Sequence, residues 1–221
     1  MLYDFHTHTF LSDGELLPIE LIRRAVVAGY TAIGVTDHAS AGNLRSLLDA
    51  LVAECRLAER HWDIRALPGV ELTHVPPGAI AELAREARAA GARLVLVHGE
   101  SPIEPVAPGT NLAAVSCPDV DLLAHPGLLA PEEADLAARG GVFLELTSNG
   151  GHALGNGRVA QQARRAGARL LVNSDTHLPE DLLSEALARR IALGAGLSEE
   201  EAELALLTNP QELLARIAPR E

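Results

Sequence analysis

The stretch PIELIRRAVVAGYTAIGVTDH, residues 18–38, contains the unit from which the fold is read. Pro18 opens a helix, because the first turn has no intrahelical acceptor for the N–H that proline lacks. Gly29 ends it, at the position past the C-cap where φ turns positive. Ala32–Val35 is then a short apolar strand, and His38 follows directly behind it.

The same rhythm recurs along the chain. Gly91 and Gly167 also stand a few residues before apolar runs. Seven such runs predict strands: Leu2–Phe5, Ala32–Val35, Ile64–Leu72 (broken by Pro68), Arg93–Val97, Val120–Ala124, Val142–Leu146 and Arg169–Val172. Strands alternating with helices give a parallel sheet or barrel. Leu44, Leu47, Leu48, Leu51, Cys55 and Ala58 share one face of a helix that lies against those strands. Ser198 with Glu201 forms a capping box for a helix through Leu207, and Pro210 starts another. Ser101–Pro118, with Pro102, Pro105, Pro108 and Gly109, predicts a long irregular connection over one end of the barrel. No linker interrupts the pattern, so a single domain over 1–221 is expected.

Composition narrows the class. Apolar residues make up 48% and aromatics only 3%, so the core must be aliphatic, as parallel strands covered by Ala-rich helices require. No apolar run approaches the roughly 20 residues that cross a bilayer, and no basic leader precedes Leu2. Cys55 and Cys117 are too far apart for a CxxC pair, which points away from a disulfide framework or thiolate metal site and towards a reducing cytosol. A net charge of −12 argues against an extended nucleic-acid surface.

The chemistry lies in where polar residues fall. His6 and His8 follow the first strand, His38 the second, Glu71 ends the third, His98 follows the fourth, His125 the fifth, and Asp175 with His177 the seventh. Functional groups collect at the C-terminal ends of barrel strands, because those ends and their loops converge on one face. Taken singly, each histidine reads as well as a hydrogen-bonded core or surface residue. Together they read as metal ligands, since packing gives no reason for imidazoles and carboxylates to recur at strand ends. Asp13, in Leu11-Ser12-Asp13-Gly14, reads by composition as an Asx turn or a helix cap, and by position as part of the cluster.

Beyond the sixth strand lie Glu145, Asn149, His152, Asn156 and Arg158. Arg158, Asn149 and His152 are candidates for substrate binding, Arg158 as a bidentate phosphate clamp or else a solvated cation. Asp37 and Glu100, next to ligands, are expected to orient imidazoles. His61 and His74 belong to no motif and read as surface residues.

The ordered set Asp4-Phe5-His6-Thr7-His8-Thr9, Ser12-Asp13-Gly14, Thr36-Asp37-His38, Pro68-Gly69-Val70-Glu71, His98-Gly99-Glu100, Ala124-His125-Pro126-Gly127 and Asn173-Ser174-Asp175-Thr176-His177 resembles the polymerase and histidinol phosphatase (PHP) family. The resemblance implies a distorted TIM-like (β/α)7 barrel with two or three divalent transition metals. It places His6, His8, Glu71 and Asp175 on one metal, Glu71, His98 and His125 on a second, and Asp13, His38 and His177 on a third. Nitrogen and oxygen ligands suit Zn, Mn or Fe.

The expected function is a phosphoesterase cleaving a small phosphomonoester, histidinol phosphate being a candidate, with Glu71, Asp175 and His177 central to catalysis. Three divalent ions against three carboxylates leave a local charge of roughly +3 for an anionic substrate. An amidohydrolase and a metal-binding module without turnover are the alternatives. No membrane partner is expected.

Overall fold

A computed structural model describes residues 1–217 of the 221. In chain order the elements are β1 Leu2–Asp4, α1 Pro18–Val27, β2 Tyr30–Val35, β3 His38–Ala39, α2 Leu44–His61, β4 Arg65–Leu72, α3 Ile80–Ala89, β5 Leu94–His98, α4 Thr110–Val115, β6 Leu122–Ala124, α5 Pro131–Gly140, β7 Phe143–Thr147, α6 Asn156–Ala166, β8 Leu170–Asn173, α7 Glu185–Gly194, α8 Glu199–Glu203 and α9 Asn209–Arg216. All seven predicted strands form. Neighbouring strands pair in parallel in the order β1-β2-β4-β5-β6-β7-β8, and the two-residue β3 pairs with β4 past the end of β2.

The ring closes between β8 and β1, through the segments that continue past them. Phe5 N donates to Asn173 Oδ1 (2.9 Å), Asp175 N to His6 O (3.0 Å) and His8 N to Thr176 O (2.8 Å). The result is a distorted TIM-like (β/α)7 barrel whose seam is made by the segments that carry His6, His8 and Asp175.

Strand periodicity explains the division between floor and mouth. Side chains alternate faces, so Leu67 and Glu71, Leu94, Leu96 and His98, Phe143 and Glu145, and Leu171 and Asn173 follow one another on the inward face. Lower positions build a dry cluster of Tyr3, Phe5, Ala32, Leu67, Leu94, Leu96, Leu122, Phe143 and Leu171, which Leu213 and Leu214 of α9 join. Upper positions present polar groups. Outward residues pack against the helices, and α2 buries the six stripe residues its periodicity predicts.

Two expectations change. Pro68 does not break its strand, since β4 runs through it. Pro68 O accepts from Arg93 N (2.8 Å), so the missing N–H would face the same neighbour, one residue before β5 begins. No ladder bond is lost there. The Ser101–Pro118 connection is also less irregular than expected, because α4 forms within it. Glu100 Oε1 accepts from Gly109 N (2.9 Å) and Asn111 N (3.0 Å), placing a carboxylate where the first N–H groups of that helix need acceptors. Glu100 therefore fixes a loop and no imidazole.

Candidate metal centre

Glu71 stands at the centre of the mouth, fully buried, and its two oxygens face different imidazoles. Oε1 lies 3.4 Å from His6 Nε2 and 3.4 Å from His125 Nε2; Oε2 lies 3.7 Å from His8 Nε2 and 2.7 Å from His38 Nδ1. Asp175 Oδ1 is 3.1 Å from His8 Nε2 and 3.5 Å from His6 Nε2. Farther out, Asp13 spans His38 Nε2 (3.4 Å) and His177 Nε2 (3.3 Å).

Most of these separations exceed a good hydrogen bond and match another geometry. Two bonds of about 2.0–2.1 Å meeting at a tetrahedral angle hold their ligand atoms roughly 3.3–3.4 Å apart. Moreover, His6 Nε2, both ring nitrogens of His8, Glu71 Oε1 and His125 Nδ1 are buried without any hydrogen-bond partner. Buried polar atoms are otherwise nearly always paired, so a cluster of unpaired ring nitrogens around a buried carboxylate fits cations between them. Five groups among the described residues have ligand atoms close enough to share an ion: His6, His8 and Asp175; His6, Glu71 and His125; His8, Asp13, His38 and His177; His74, His98 and Glu104; and His98, His125 and His152. All nine sequence-predicted ligands fall in them, and His152, expected to bind substrate, joins the last.

The imidazoles are held from behind. His6 Nδ1 donates to Glu145 Oε1 (2.9 Å), whose carboxylate also accepts from Asn173 Nδ2 (2.8 Å) and His125 N (2.9 Å). The Nδ1 atoms of His98 and His177 lie 3.1 Å from Gly99 O and 2.9 Å from Asp175 O. Each such contact fixes a ring and turns its Nε2 inward. Asp37, expected to orient an imidazole, instead accepts from Thr9 N (2.7 Å), Thr9 Oγ1 (2.8 Å) and Ser12 Oγ (2.6 Å), which shapes the loop carrying Asp13. Asp13 is not a helix cap, because the cap of α1 is Leu17. His74, His125 and Asp175 are the non-glycine residues with positive φ among those described, and all three line this mouth. Such strain persists where surrounding structure over-determines it.

The other candidates divide. Asn149 and His152 line the cavity. Arg158 does not: its Nε donates to Leu129 O (3.1 Å) and its guanidinium bonds Gln161, on the flank of α6. A clamp role for Arg158 is not supported, because its donors are turned to the neighbouring loop. Asn156 is structural, exchanging bonds with the backbone of Thr147. His61, at the end of α2, and His74 are both exposed, as expected, and His74 stands at the rim, its Nε2 2.8 Å from Glu104 Oε2. Glu104 and His74 escape sequence reasoning because they sit in loops without periodicity or motif.

Loop contact brings His125 and His152 together, their rings stacked at 4.1 Å. A Cβ on Gly155 would lie 2.7 Å from Gly127 Cα, so neither loop has room for a side chain there. Gly155→Ala is expected to cost about 1–3 kcal/mol by overpacking and to separate these rings. A thermal melt with metal titration checks this, and wild-type stability and metal affinity would refute it.

Electrostatically the centre shares protons among its nitrogens. Burial alone would lower the pKa of His6, yet Glu145, Glu71 and Asp175 hold it well above the ordinary value. His38, against the same burial, is pushed up to about 10 by Glu71 and Asp13. Burial takes His98 down to about 4. Glu71 and Asp175 resist burial and stay well below the usual carboxylate range, His6 being the first of the cations responsible. Metals bind neutral imidazole, so cations and protons compete for His6 and His38 at neutral pH. Metal loading should therefore release protons, and affinity should rise with pH. Calorimetry in two buffers of different ionisation enthalpy measures this; equal heats would contradict it.

A parallel barrel that gathers histidines and carboxylates into adjoining groups at its C-terminal mouth defines a metal-binding α/β barrel protein. The chain belongs to the PHP domain family: the family model matches residues 4–113, from β1 into α4. An uncharacterized protein of Methanocaldococcus jannaschii is 47% identical over 218 residues, covering 98% of this chain and 100% of that protein. Ribonuclease P protein component 3 of Methanosarcina mazei is 27% identical, over 98% of this chain and 90% of that one. The fold is similar to that of histidinol phosphate phosphatase from Lactococcus lactis, crystallised with zinc, L-histidinol and phosphate (TM-score 0.62, 15% identity, 89% of this chain and 94% of that chain).

Proposed function

We propose that this protein is a metal-dependent phosphoesterase acting on a small phosphomonoester. The observation that carries the reading is Glu71, whose two oxygens face separate pairs of imidazoles, as a carboxylate shared by two cations would. Divalent ions bound here would supply a water whose pKa is lowered towards about 7 and positive charge for the phosphoryl oxygens.

The chain's own residues set the conditions for that chemistry. Glu71 and Asp175 tie the ligand groups together at the buried base of the mouth, and His177 faces the cavity opposite His38, across Asp13. We assign catalysis to these three. The cavity of about 540 Å³ suits a small molecule. Among the described residues no arginine lines it, and the chain contains no lysine, so the attraction for phosphate falls to the metals and any imidazolium beside them. Carboxylates elsewhere on the surface disfavour a long polyanion. The likeness to a histidinol phosphate phosphatase supports the same substrate class.

A nucleic-acid substrate is the second reading, and the likeness to a ribonuclease P protein component favours it. Comparing a phosphomonoester, a dinucleotide, a longer single strand and an amide at equal metal and salt decides between them. Hydrolysis of the monoester is expected. Faster turnover of the strand would establish a nuclease, amide cleavage alone an amidohydrolase, and metal binding without any turnover a binding module.

A further inference from the structure

Glu104 stands on the loop between β5 and α4, at the solvent side of the mouth, and its carboxylate faces three histidines. His74 Nε2 is 2.8 Å from Oε2, a hydrogen bond. The other two contacts are of a different kind. His98 Nε2 lies 3.2 Å from Oε2 and His152 Nε2 lies 3.4 Å from Oε1. Both are near the roughly 3.3–3.4 Å that separates neighbouring ligand atoms on one tetrahedral ion. His98 and His152 are also prepared as ligands: Nδ1 of the first is 3.1 Å from Gly99 O and Nδ1 of the second 2.6 Å from Ser101 Oγ, which leaves Nε2 as the inward pole of each ring. Nearby, the buried Nδ1 of His125 has no partner.

We propose that Glu104 and His152 are ligands of the metal position they share with His98 and His125, and that His74 is the positioning residue for Glu104. This enlarges the set of Glu71, His98 and His125 implied by the family resemblance. It rests on the metal-centre reading and not on the identity of the substrate. Three imidazoles and two carboxylates suit a divalent transition metal. The strained backbone of His74, at φ +52°, holds its ring against the loop carboxylate. A cation bound from the floor by His98 and His125 would be closed from the mouth by Glu104, and the 101–109 loop would be tied to metal occupancy.

The test uses the full chain and Co(II) alone. Wild type, Glu104→Gln, His152→Asn and His74→Asn are titrated with metal counting and visible d–d spectra, and amide hydrogen exchange over residues 101–109 is followed with and without Co(II). Circular dichroism confirms folding. Should His152→Asn not fold, Glu104→Gln, on a solvent-facing loop, carries the test. Glu104→Gln and His152→Asn are expected to weaken one Co(II) equivalent by at least about tenfold, shift the spectrum and remove metal-dependent protection of the loop, with a smaller effect for His74→Asn. Wild-type affinity, spectrum and loop protection in Glu104→Gln would overturn the proposal while leaving the rest of the centre intact. A wild type that binds no Co(II) would overturn the centre as a whole.

Discussion

Replacing Glu71 by glutamine is expected to strip more metal than any other single change in the mouth, and to lower kcat/KM by about 10³-fold or more. Glutamine keeps the shape but removes the charge, and Glu71 is fully buried among His6, His8, His38 and His125. Losing metal charge at two positions forfeits several kcal/mol of transition-state stabilisation, and each 1.4 kcal/mol is about tenfold in rate. Asp13→Asn should be milder. The Asp13 side chain is 55% exposed and faces only His38 and His177, so one outer ion depends on it. Metal counting on folded variants compares the two, and equal losses would show that Glu71 bridges nothing.

Chelation is the second large effect: activity should vanish and the melting temperature should fall by about 10 °C. At free metal near 1,000 times Kd, one site adds about 4 kcal/mol, and a chain of this size shifts by about 2–4 °C per kcal/mol. The barrel should remain folded, because its aliphatic floor and the layer under the helices form a core independent of the mouth. A thermal scan of stripped and reloaded protein measures this. An unchanged melting temperature together with full activity after verified stripping would refute a metal-dependent enzyme.

Much of the fold was legible because its causes are local. Gly29, Gly91 and Gly167 all adopt positive φ, a need of the turn itself. Ser198 and Glu201 cap each other across three residues, with Glu201 N donating to Ser198 Oγ (3.2 Å) and Ser198 N to Glu201 Oε2 (2.7 Å). Alternation along a strand likewise placed Glu71 and His98 at the inward upper end, and the ordered motifs supplied the remaining ligands.

Local rules failed where partners came from distant chain. Asp37 and Glu100 stand close to candidate ligands in sequence, yet their carboxylates turn to backbone and hydroxyl donors, since both lie in loops where strand alternation sets no direction. Arg158 looked like a phosphate clamp by residue type, but the packing of α6 gave it Leu129 O instead. His152 approaches His125 only because Gly127 and Gly155 let two loops touch.

The sequence by itself determined the strand and helix rhythm, the barrel and the nine candidate ligands that the mouth brings together, because periodicity, turn chemistry and motif order are properties of neighbouring residues. Only the tertiary structure decided that Glu145 supports His6, that His74 and Glu104 reach the rim, and which oxygen of Glu71 faces which imidazole. Those contacts join residues up to 139 apart in the chain, and their geometry follows from how the loops pack.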